Sequence, residues 1–513
     1  MRDLSHRLYR LLNSKSFFVV VLALFVFESA WVALSALYPQ AFDEQFHFGL
    51  IQLYSYHSLP FLSAQPKGAN AFGAVARDPS YLYHYLMSFP YRLIRLFVHS
   101  QTGQVILLRF INIALFGSSL VLLRRVLLKV GTSRPLANFC ILLFILIPIV
   151  PQLAAQINYD NLLLPLIAWV VLMTFSVMDQ LRSRKLSIVS LCCLFALCLL
   201  TSLVKYAFLP IFVAVIVFLA IIAFISYKKS SLEQFFKDLL SSWKRQSRLM
   251  QICLVVLLIL SMGMFIQRDG VNLIKYHNIA PSCSTVLNVK DCSAYSVWDT
   301  DYTRHVSIAS ELHARTFSYM TPIKYLSEWF YWMWYRSFFA VNGPASGFTN
   351  YAPLPLPAIG AAAITVLGIF LSIKWRRKIF KNNPHLIFLL LIILGYCVAL
   401  ILQGYSTYHY TGVLENMNGR YLLPILLFVA AIFGKAISLQ LKNATIMKVI
   451  ISVVVLILFL EGGGIVTFLV RSDDTWYFQN HVVKKINNEA TKIVKPVVIK
   501  NKRSPISSSV WLE

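Results

Sequence analysis

Uninterrupted apolar runs, each long enough to cross a lipid bilayer as a helix, recur along most of this chain. The first extends from Ser16 to Leu37, and 58% of the 513 residues are hydrophobic while 13% are charged. About 20 consecutive apolar residues are needed to span the hydrocarbon core of a bilayer as an α-helix. The runs are continuous and do not alternate with polar residues, as the strands of a membrane barrel would. The sequence therefore predicts an all-α, polytopic integral membrane protein.

Basic residues between the runs set the predicted orientation. Lys and Arg cluster at Arg2–Lys15, Arg124–Lys129, Arg182–Lys185 and Lys374–Lys378, and cytoplasmic loops carry such an excess. This rule accounts for most of the net charge of +26, so we expect no nucleic-acid partner. We predict a protein of the plasma or inner membrane, with a cytoplasmic N-terminus and its active site on the extracytoplasmic face. About eleven transmembrane helices are predicted, near residues 16–37, 105–123, 136–151, 162–178, 186–201, 206–227, 249–266, a span ending at 374, 385–402, 421–437 and 446–470.

The same pattern predicts one transmembrane domain with two larger loops. Residues 44–57 and 80–98 are amphipathic, which predicts helices that lie at the membrane interface. The first apolar run is longer than a signal-peptide core, so we interpret it as a retained helix. The predicted organisation is a transmembrane domain over residues 1–470, a first extracytoplasmic loop at 38–105, a large extracytoplasmic loop at 267–353 and an extracytoplasmic tail at 471–513.

Two of the eight cysteines stand apart from the rest. Cys283 and Cys292 enclose a short polar loop, whereas the other six lie in apolar runs. An extracytoplasmic location permits a disulfide bond between them. Connectivity cannot be read from spacing, so the sequence leaves this pairing open.

Three ionisable side chains, Asp43, Glu44 and His47, directly follow the first span. Ionisable groups near membrane depth are costly and usually face a cavity or a partner. If a helix begins at Phe42, Asp43 and His47 share one face, with Glu44 turned about 100° away. A half-buried carboxylate beside an imidazole can act as a general base. Asp is also a preferred helix N-cap, and the spacing does not decide between the two roles.

Further polar side chains fall at the same predicted outer face. Cations there depart from the positive-inside rule, so Arg77, Lys205 and Arg420 predict a bound anion such as a phosphate. Lys205 could instead extend to the interface or pair with Asp160, and Arg77 could belong to a proline-started interfacial helix. The predicted substrate-binding residues are His47, Arg77, Asp78, Tyr81, Arg109, Asn158, Asp160, Lys205, Tyr206 and Arg420.

Motifs of nucleotide chemistry are missing from the sequence. There is no Walker loop, dinucleotide fingerprint, zinc-protease motif or nucleophile elbow, and His313 and His409 lack metal-ligand spacing. Chemistry driven by ATP or another nucleotide therefore has no support, and no metal ligands are predicted.

The motifs resemble those of the GT-C superfamily of membrane glycosyltransferases. Asp43-Glu44, with His47 close behind, is similar to the acidic motif that follows the first helix in this superfamily. The stretch from Asp78 to Tyr85 resembles the Pro-Pro-Leu-Tyr-Tyr element of the arabinose-lipid A and protein-mannosyl transferases, with Ser80 where a second proline is common.

Three further elements resemble a bacterial branch of the same superfamily: Asn158-Tyr-Asp160, Lys205-Tyr206 and Gly419-Arg-Tyr-Leu-Leu-Pro424. The resemblance extends from residue 17 to about residue 430, whereas the segment 267–353 and the tail have no counterpart. The resemblance implies a GT-C-like fold.

It also implies an inverting transferase that moves a sugar from a polyprenyl-phosphate donor. The acceptor would be a glycan, lipid or protein of the cell envelope. Asp43 would deprotonate the acceptor hydroxyl, and Glu44, the second catalytic residue, would with His47 bind the sugar or tune Asp43. Arg77, Lys205 and Arg420 would hold the lipid phosphate and stabilise the leaving group. Relatives differ in their need for a divalent metal, which leaves a metal cofactor open.

Two other functions account for part of the sequence. A flippase or transporter of lipid-linked sugars also needs cations near a lipid phosphate. It has no use for paired acids at the outer face, and the inverted repeats common in transporters are not evident. A non-catalytic assembly protein of the envelope would keep the fold without the activity, and the presence of Asp43 argues against it.

Overall fold

The computed structural model describes residues 2–41, 43–60, 64–227, 232–339, 355–415, 417–442, 445–460 and 462–495. Within these ranges the chain forms helices and no β-strand, and extended pairing is limited to a bridge between Ala36 and Tyr477. The predicted all-α class is thus confirmed. Parts of two predicted regions, 340–353 in the large loop and 496–513 in the tail, lie outside the described residues.

The helices are numbered in chain order. The α-helices are α1 Arg2–Asn13, α2 Lys15–Ser35, α3 Glu44–Tyr54, α4 Leu82–Phe97, α5 Gln101–Lys129, α6 Arg134–Ile145, α7 Ile149–Ala154, α8 Asp160–Arg182, α9 Ile188–Val204, α10 Leu209–Tyr227, α11 Leu232–Lys244, α12 Arg248–Phe265, α13 Val271–Tyr276, α14 Cys283–Val286, α15 Val289–Cys292, α16 Ser296–His313, α17 Pro322–Phe339, α18 Pro355–Phe380, α19 Pro384–Thr411, α20 Leu423–Gln440, α21 Thr445–Leu460, α22 Ile465–Arg471 and α23 His481–Val494. Short 3₁₀ turns occur at Ala69–Phe72, Val75–Arg77, Tyr206–Phe208 and Gly419–Leu422, and a π-helical turn at Ile266–Gly270.

Eight helical stretches of the described chain are long and apolar enough to cross a membrane, and they coincide with eight of the predicted spans. The remaining three predicted spans correspond to α6 with α7, to α9 and to α18. A membrane-embedded, all-helical protein is therefore confirmed, while the count of eleven spans stays a prediction. The eight stretches are Lys15–Ser35, Gln101–Lys129, Asp160–Arg182, Tyr206–Tyr227, Arg248–Tyr276, Pro384–Thr411, Gly419–Gln440 and Ile446–Arg471.

Two predicted spans have different bounds in the structure. The run predicted at 136–151 is interrupted, because α6 ends at Ile145 and α7 begins only at Ile149. Pro148 between them has no N–H to continue the hydrogen-bond ladder. The span predicted to end at Ile266 instead continues through a π-helical turn to Tyr276. The charged residues of this turn, Arg268 and Asp269, are buried, and Arg268 donates to the first loop.

Helix α8 lies at the centre of the helical assembly. It packs along α5, α9 and α10, and most of its side chains are buried. The segment between the first two predicted spans, the first loop, contains the two predicted amphipathic helices as α3 and α4, which pack against each other. Helix α4 keeps an exposed apolar face that includes Leu93 and Phe97, which suits an interfacial position.

The disulfide that the sequence left open is formed. Cys283 and Cys292 are bonded, with their Cα atoms 5.8 Å apart, and both side chains are buried against Trp298 in a small separate core. Helix α16, which follows, packs along α19. The first half of the large predicted loop is therefore a small folded unit that packs on α19.

Candidate active site

Four predicted side chains from distant parts of the chain meet in one charge network. A guanidinium N–H of Arg420 (Nη2) donates to Oδ2 of Asp43 at 3.1 Å. Its Nε lies 4.0 Å from Oδ2 of Asp160, and Oδ1 of Asp160 accepts from Lys205 Nζ at 2.7 Å. Two carboxylates and two cations thus alternate at the ends of α3, α8, α9 and α20.

Asp43 presents its carboxylate to this network and to solvent. It sits at the N-cap position of α3, yet its side chain makes no capping hydrogen bond, so the capping role weighed for it is absent. The helix begins at Glu44 instead of Phe42, which lies outside the described residues. The side chain of Asp43 is 51% exposed. Its backbone is left-handed, with φ of 66°, a conformation that costs a non-glycine residue about 1 kcal/mol or more.

Arg420 is buried, and helix α17 supports its position. It lies in the 3₁₀ turn Gly419–Leu422. Arg336 of α17 donates through Nη1 to the Met417 carbonyl at 2.9 Å, and the Ser337 hydroxyl donates to the Gly419 carbonyl at 3.3 Å. A Cβ atom at Gly419 would lie about 2 Å from the main chain of α17. Only glycine permits this close approach, so the Trp-rich helix α17 fixes the turn that carries Arg420.

Lys205 pairs with Asp160, which was one of the alternatives for it, and does not extend to the interface. Its side chain is 7% exposed and that of Asp160 is 6% exposed. The ammonium lies 4.4 Å from the ring centre of Tyr159 and 4.9 Å from that of Tyr421. Aromatic faces attract cations at this range. Lys205 is therefore held by a carboxylate and two rings at the end of α9.

Glu44, the residue that follows Asp43, forms a separate pair with Arg109. Arg109 Nε and Nη2 donate to Oε1 and Oε2 of Glu44 at 2.9 and 2.7 Å, and both side chains are 0% exposed. The backbone N–H groups of Gln40 and Ile157 donate to the same carboxylate, at 2.8 and 3.2 Å. A carboxylate offers about four acceptor positions, and all four are used. Arg109 also donates to the Ala33 and Ala36 carbonyls.

This pair has no group left to offer to a substrate. The carboxylate of Glu44 is saturated by protein donors and closed to solvent, and Arg109 is equally enclosed. Glu44 therefore does not stand beside Asp43 as a second reactive acid, and Arg109 does not contact the Asp43 network. Together they join the end of α2, the start of α3, α5 and the segment before α8.

His47 contacts His84 and not Asp43. Its Nδ1 lies 2.8 Å from His84 Nε2, so one of the two donates to the other, and the rings stack with centres 5.1 Å apart. The predicted shared face with Asp43 fails because the left-handed backbone of Asp43 turns its side chain out of the helical spacing. Burial lowers the pKa of both imidazoles, that of His84 to about 3. Both rings are neutral at physiological pH.

Arg77 lies outside the Asp43 network. It donates through Nη1 to the Gln267 carbonyl at 3.3 Å, beside the π-helical turn. The fully buried Arg268 in that turn donates to main-chain carbonyls of the first loop and lies 4.5 Å over the ring of Tyr81. Asp78 accepts from the Ser80 N–H at 2.9 Å and precedes α4. These residues form a second polar cluster that joins α12 to the first loop.

The other two predicted residues border the network. Asn158 Oδ1 accepts from the backbone N–H of Asp160 at 2.9 Å and so fixes the start of α8. The Tyr206 N–H donates to Ser80 Oγ at 3.2 Å, and its hydroxyl accepts from Gln403 at 3.2 Å. Tyr206 thereby links Lys205 to the first loop.

Sequence reasoning missed several residues that the structure places here. Tyr159 and Tyr421 are neighbours of Asp160 and Arg420, and their aromatic faces beside charged residues were the available signal. His84 lies inside the Asp78–Tyr85 motif. Arg268 and Asp269 closely follow the apolar run predicted at 249–266, and their charge at the end of that run was the available signal.

No group of three or more His, Cys, Asp or Glu side chains in the described part of the chain is arranged to hold a metal ion. Asp43 and Asp160 both face cationic side chains instead. Comparison with protein-family models, with curated proteins and with solved structures finds no match to this chain. The family resemblance of the motifs stays a prediction, and function has to be argued from the geometry of the site.

Proposed function

We propose that the protein is an inverting, GT-C-like glycosyltransferase that moves a sugar from a polyprenyl-phosphate donor to a cell-envelope acceptor. One observation carries the proposal. The accessible carboxylate of Asp43 forms an ion pair with Arg420. Arg420 also lies near Asp160, which forms an ion pair with Lys205. A base that solvent can reach thus contacts one cation that solvent barely reaches and shares a network with a second.

The transfer needs a base and an anion site side by side. Asp43 takes the proton of the acceptor hydroxyl while that oxygen forms a bond to the anomeric carbon. The bond between this carbon and the phosphate oxygen breaks, and polyprenyl phosphate leaves with the electron pair. Arg420 and Lys205 stabilise the charge that develops on the departing phosphate. Attack from the side opposite the phosphate inverts the anomeric configuration.

The charge balance of the network favours this division of roles. Arg420 is shared between Asp43 and Asp160, whereas Lys205 is bonded to Asp160 at 2.7 Å. A phosphate that binds Arg420 competes with Asp43 for the same guanidinium. Asp43 is then released from its cation, which makes it a stronger base beside the reacting carbon.

We assign Glu44 and Arg109 to the scaffold of the site and not to substrate, because their hydrogen bonds are made within the protein. We also assign Arg77 to the second polar cluster, since it donates to Gln267. The phosphate site that we propose therefore consists of Arg420 and Lys205, a smaller set than the sequence predicted.

We place the site on the extracytoplasmic face. Basic clusters end α5 at Lys129, α8 at Arg182 and α18 near Lys378. For α5 and α8 these are the ends opposite to those that approach Glu44 and Lys205. Cytoplasmic ends of membrane helices carry such charge. A membrane-embedded donor lipid could then place its phosphate at Arg420 while its chain stays between the helices and the bilayer.

The decisive experiment compares the wild type with Asp43→Asn in lipid nanodiscs. Release of undecaprenyl phosphate is measured from a panel of undecaprenyl-phosphoryl sugars, with an envelope extract as acceptor. Loss of a general base lowers turnover by roughly 10²- to 10⁴-fold. Asp299→Asn, in the first turn of α16, is the matched control and should turn over like the wild type.

Equal turnover of the Asp43→Asn variant and the wild type would show that Asp43 is not the base. If the wild type carries the lipid-linked sugar across a bilayer without transferring it, the protein is a flippase. Binding of the lipid with neither transfer nor transport would point to a non-catalytic assembly protein.

A further inference from the structure

Tyr295 lies between the disulfide loop and the Asp43 site. Its ring stacks on Phe46 of α3, with ring centres 5.7 Å apart and planes inclined by 28°. Phe46 is three residues beyond Asp43 on the chain. The ring also contacts Gly73, where a Cβ atom would lie 2.9 Å from Cδ1 of Tyr295. The backbone of Gly73 has φ of 72°, so both its conformation and the ring require glycine.

The disulfide loop fixes the position of this ring. Tyr295 packs with the small core around Cys283, Cys292 and Trp298. The disulfide loop is fastened to the first loop by Asn70, whose amide donates to Oδ1 of Asp291 at 3.1 Å. The ring is therefore held by Phe46, Gly73 and the small core, and its orientation does not depend on a contact of the hydroxyl.

The ring of Tyr295 makes the packing contacts of this side chain, and its hydroxyl does not take part in them. Tyr295 is half-buried, and within the described ranges its hydrogen bonds, to Cys292 and Asp299, are made by its main chain and not by its hydroxyl. Burial raises the pKa of this hydroxyl, and the carboxylates of Asp78 and Asp43 raise it further. The group therefore stays protonated and is a hydrogen-bond donor near the base that we propose.

The segment that carries Tyr295 also spans the site. Arg304 of α16 forms an ion pair with Glu415, and the ring of His305 stacks on Tyr410 at 4.0 Å. Both partners lie at or beyond the end of α19, just before the turn that carries Arg420. One folded unit thus contacts the Asp43 side through Tyr295 and the Arg420 side through α16.

We propose that Tyr295 is a sugar-positioning residue whose hydroxyl donates a hydrogen bond to the sugar of the polyprenyl-phosphate donor. This inference rests on the proposed function, since it names a residue that would hold the sugar of the donor while the phosphate binds at Arg420. A rigid ring with an unpaired, protonated hydroxyl can select for a sugar oxygen without needing to move. The bare lipid phosphate offers no such oxygen to Tyr295.

The test measures binding of two probes to the full chain in nanodiscs by native mass spectrometry. The probes are undecaprenyl phosphate and undecaprenyl-phosphoryl sugars that carry glucose, galactose, mannose or arabinose. Tyr295→Phe should weaken binding of the best sugar-bearing probe by roughly 3- to 10-fold, the range of one hydrogen bond, and leave undecaprenyl phosphate unchanged. Tyr302→Phe, which removes a hydroxyl from the same small core, is the matched control and should change neither.

A second variant tests the support of the ring. Cys283→Ser with Cys292→Ser should weaken the same sugar-bearing probe, because the loop no longer holds Tyr295 in place. If the wild type binds both kinds of probe and Tyr295→Phe leaves the sugar preference intact, Tyr295 does not position the sugar, while the phosphate site stands. If the wild type shows no preference for the sugar, the inference is likewise overturned. If it binds neither probe, the proposed function fails and the role of Tyr295 fails with it.

Discussion

The substitution Glu44→Gln should separate the scaffold of the site from its chemistry. It keeps the size of the side chain but removes the charge that faces the buried guanidinium of Arg109. It also replaces one acceptor oxygen by an NH₂ group. That NH₂ group must face a donor, since Arg109 and the N–H groups of Gln40 and Ile157 occupy all four acceptor positions.

The magnitude follows from the burial of the pair. Removing one partner of a fully buried ion pair costs about 3–5 kcal/mol, because the other charge stays buried without compensation. An unfolding entropy of about 2.1 cal/mol/K per residue gives about 1.1 kcal/mol/K for this chain, so the midpoint Tm should fall by about 3–5 °C. Helices that stay inserted on heating contribute less entropy, which makes the shift larger.

Tm measured by tryptophan fluorescence in nanodiscs tests this prediction. Glu233→Gln is the matched control, because its pair with Lys237 is 68% and 65% exposed and such pairs contribute about 0.5 kcal/mol or less. Asp43→Asn should lower Tm less than Glu44→Gln does, because Asp43 is 51% exposed and Arg420 still has Asp160 4.0 Å from its Nε, and it should lose turnover. In a double-mutant cycle with Arg109→Gln, the two losses should be strongly non-additive. A wild-type Tm for Glu44→Gln, or additive losses, would refute the scaffold role.

Three other predictions follow from particular contacts. Gly419→Ala should displace the turn that carries Arg420 and weaken undecaprenyl phosphate binding at least several-fold, whereas Gly395→Ala, whose Cβ would meet no neighbour, should leave binding unchanged. Burial lowers the pKa of His84 to about 3, whereas an exposed imidazole has a pKa of about 6.5. The folded state therefore loses about 1.4 kcal/mol of stability per pH unit below about pH 6.5. His84→Gln should reduce the fall of Tm between pH 7 and 5, and an unchanged fall would contradict the neutral pair. Cys283 and Cys292 are nine residues apart, so reducing their disulfide should destabilise the loop by about 2.7 kcal/mol. Hydrogen exchange in the loop should then become faster than in α16. Equal protection of the loop before and after reduction would count against this prediction.

The membrane helices could be predicted because length and hydropathy are local properties. An apolar run such as that from Ser16 to Leu37 has few alternatives to a buried helix. The amphipathic patterns of α3 and α4 also report their own environment. Breaks and extensions were harder to predict, since Pro148 interrupts a run that is apolar on both sides. The π-helical turn depends on whether Arg268 is solvated or buried, which is a property of the first loop and not of the helix.

The sequence predicts which charged residues lie on one face of the protein, but not which of them form ion pairs with each other. Topology placed Asp43, Lys205 and Arg420 at the same end of the helices, and they do meet. The same reasoning treated Glu44 and Arg109 as equivalent members of the set, although they satisfy each other. A carboxylate can find its cation 65 residues away along the chain, and hydrophobic patterning contains no information on such distances.

The three ion pairs of the site differ in solvent exposure, although the sequence predicts the same location for their residues. Glu44 and Arg109 are both 0% exposed, and Asp160 and Lys205 are nearly as enclosed, so neither pair can open without a large desolvated charge being left behind. In the third pair Asp43 is half exposed while Arg420 is 5% exposed. Exchange of Asp43 for another anion leaves the buried guanidinium paired throughout and returns a carboxylate to water. Among these three pairs, that exchange is the one a phosphate can make at low cost, which is why we place the chemistry at Asp43.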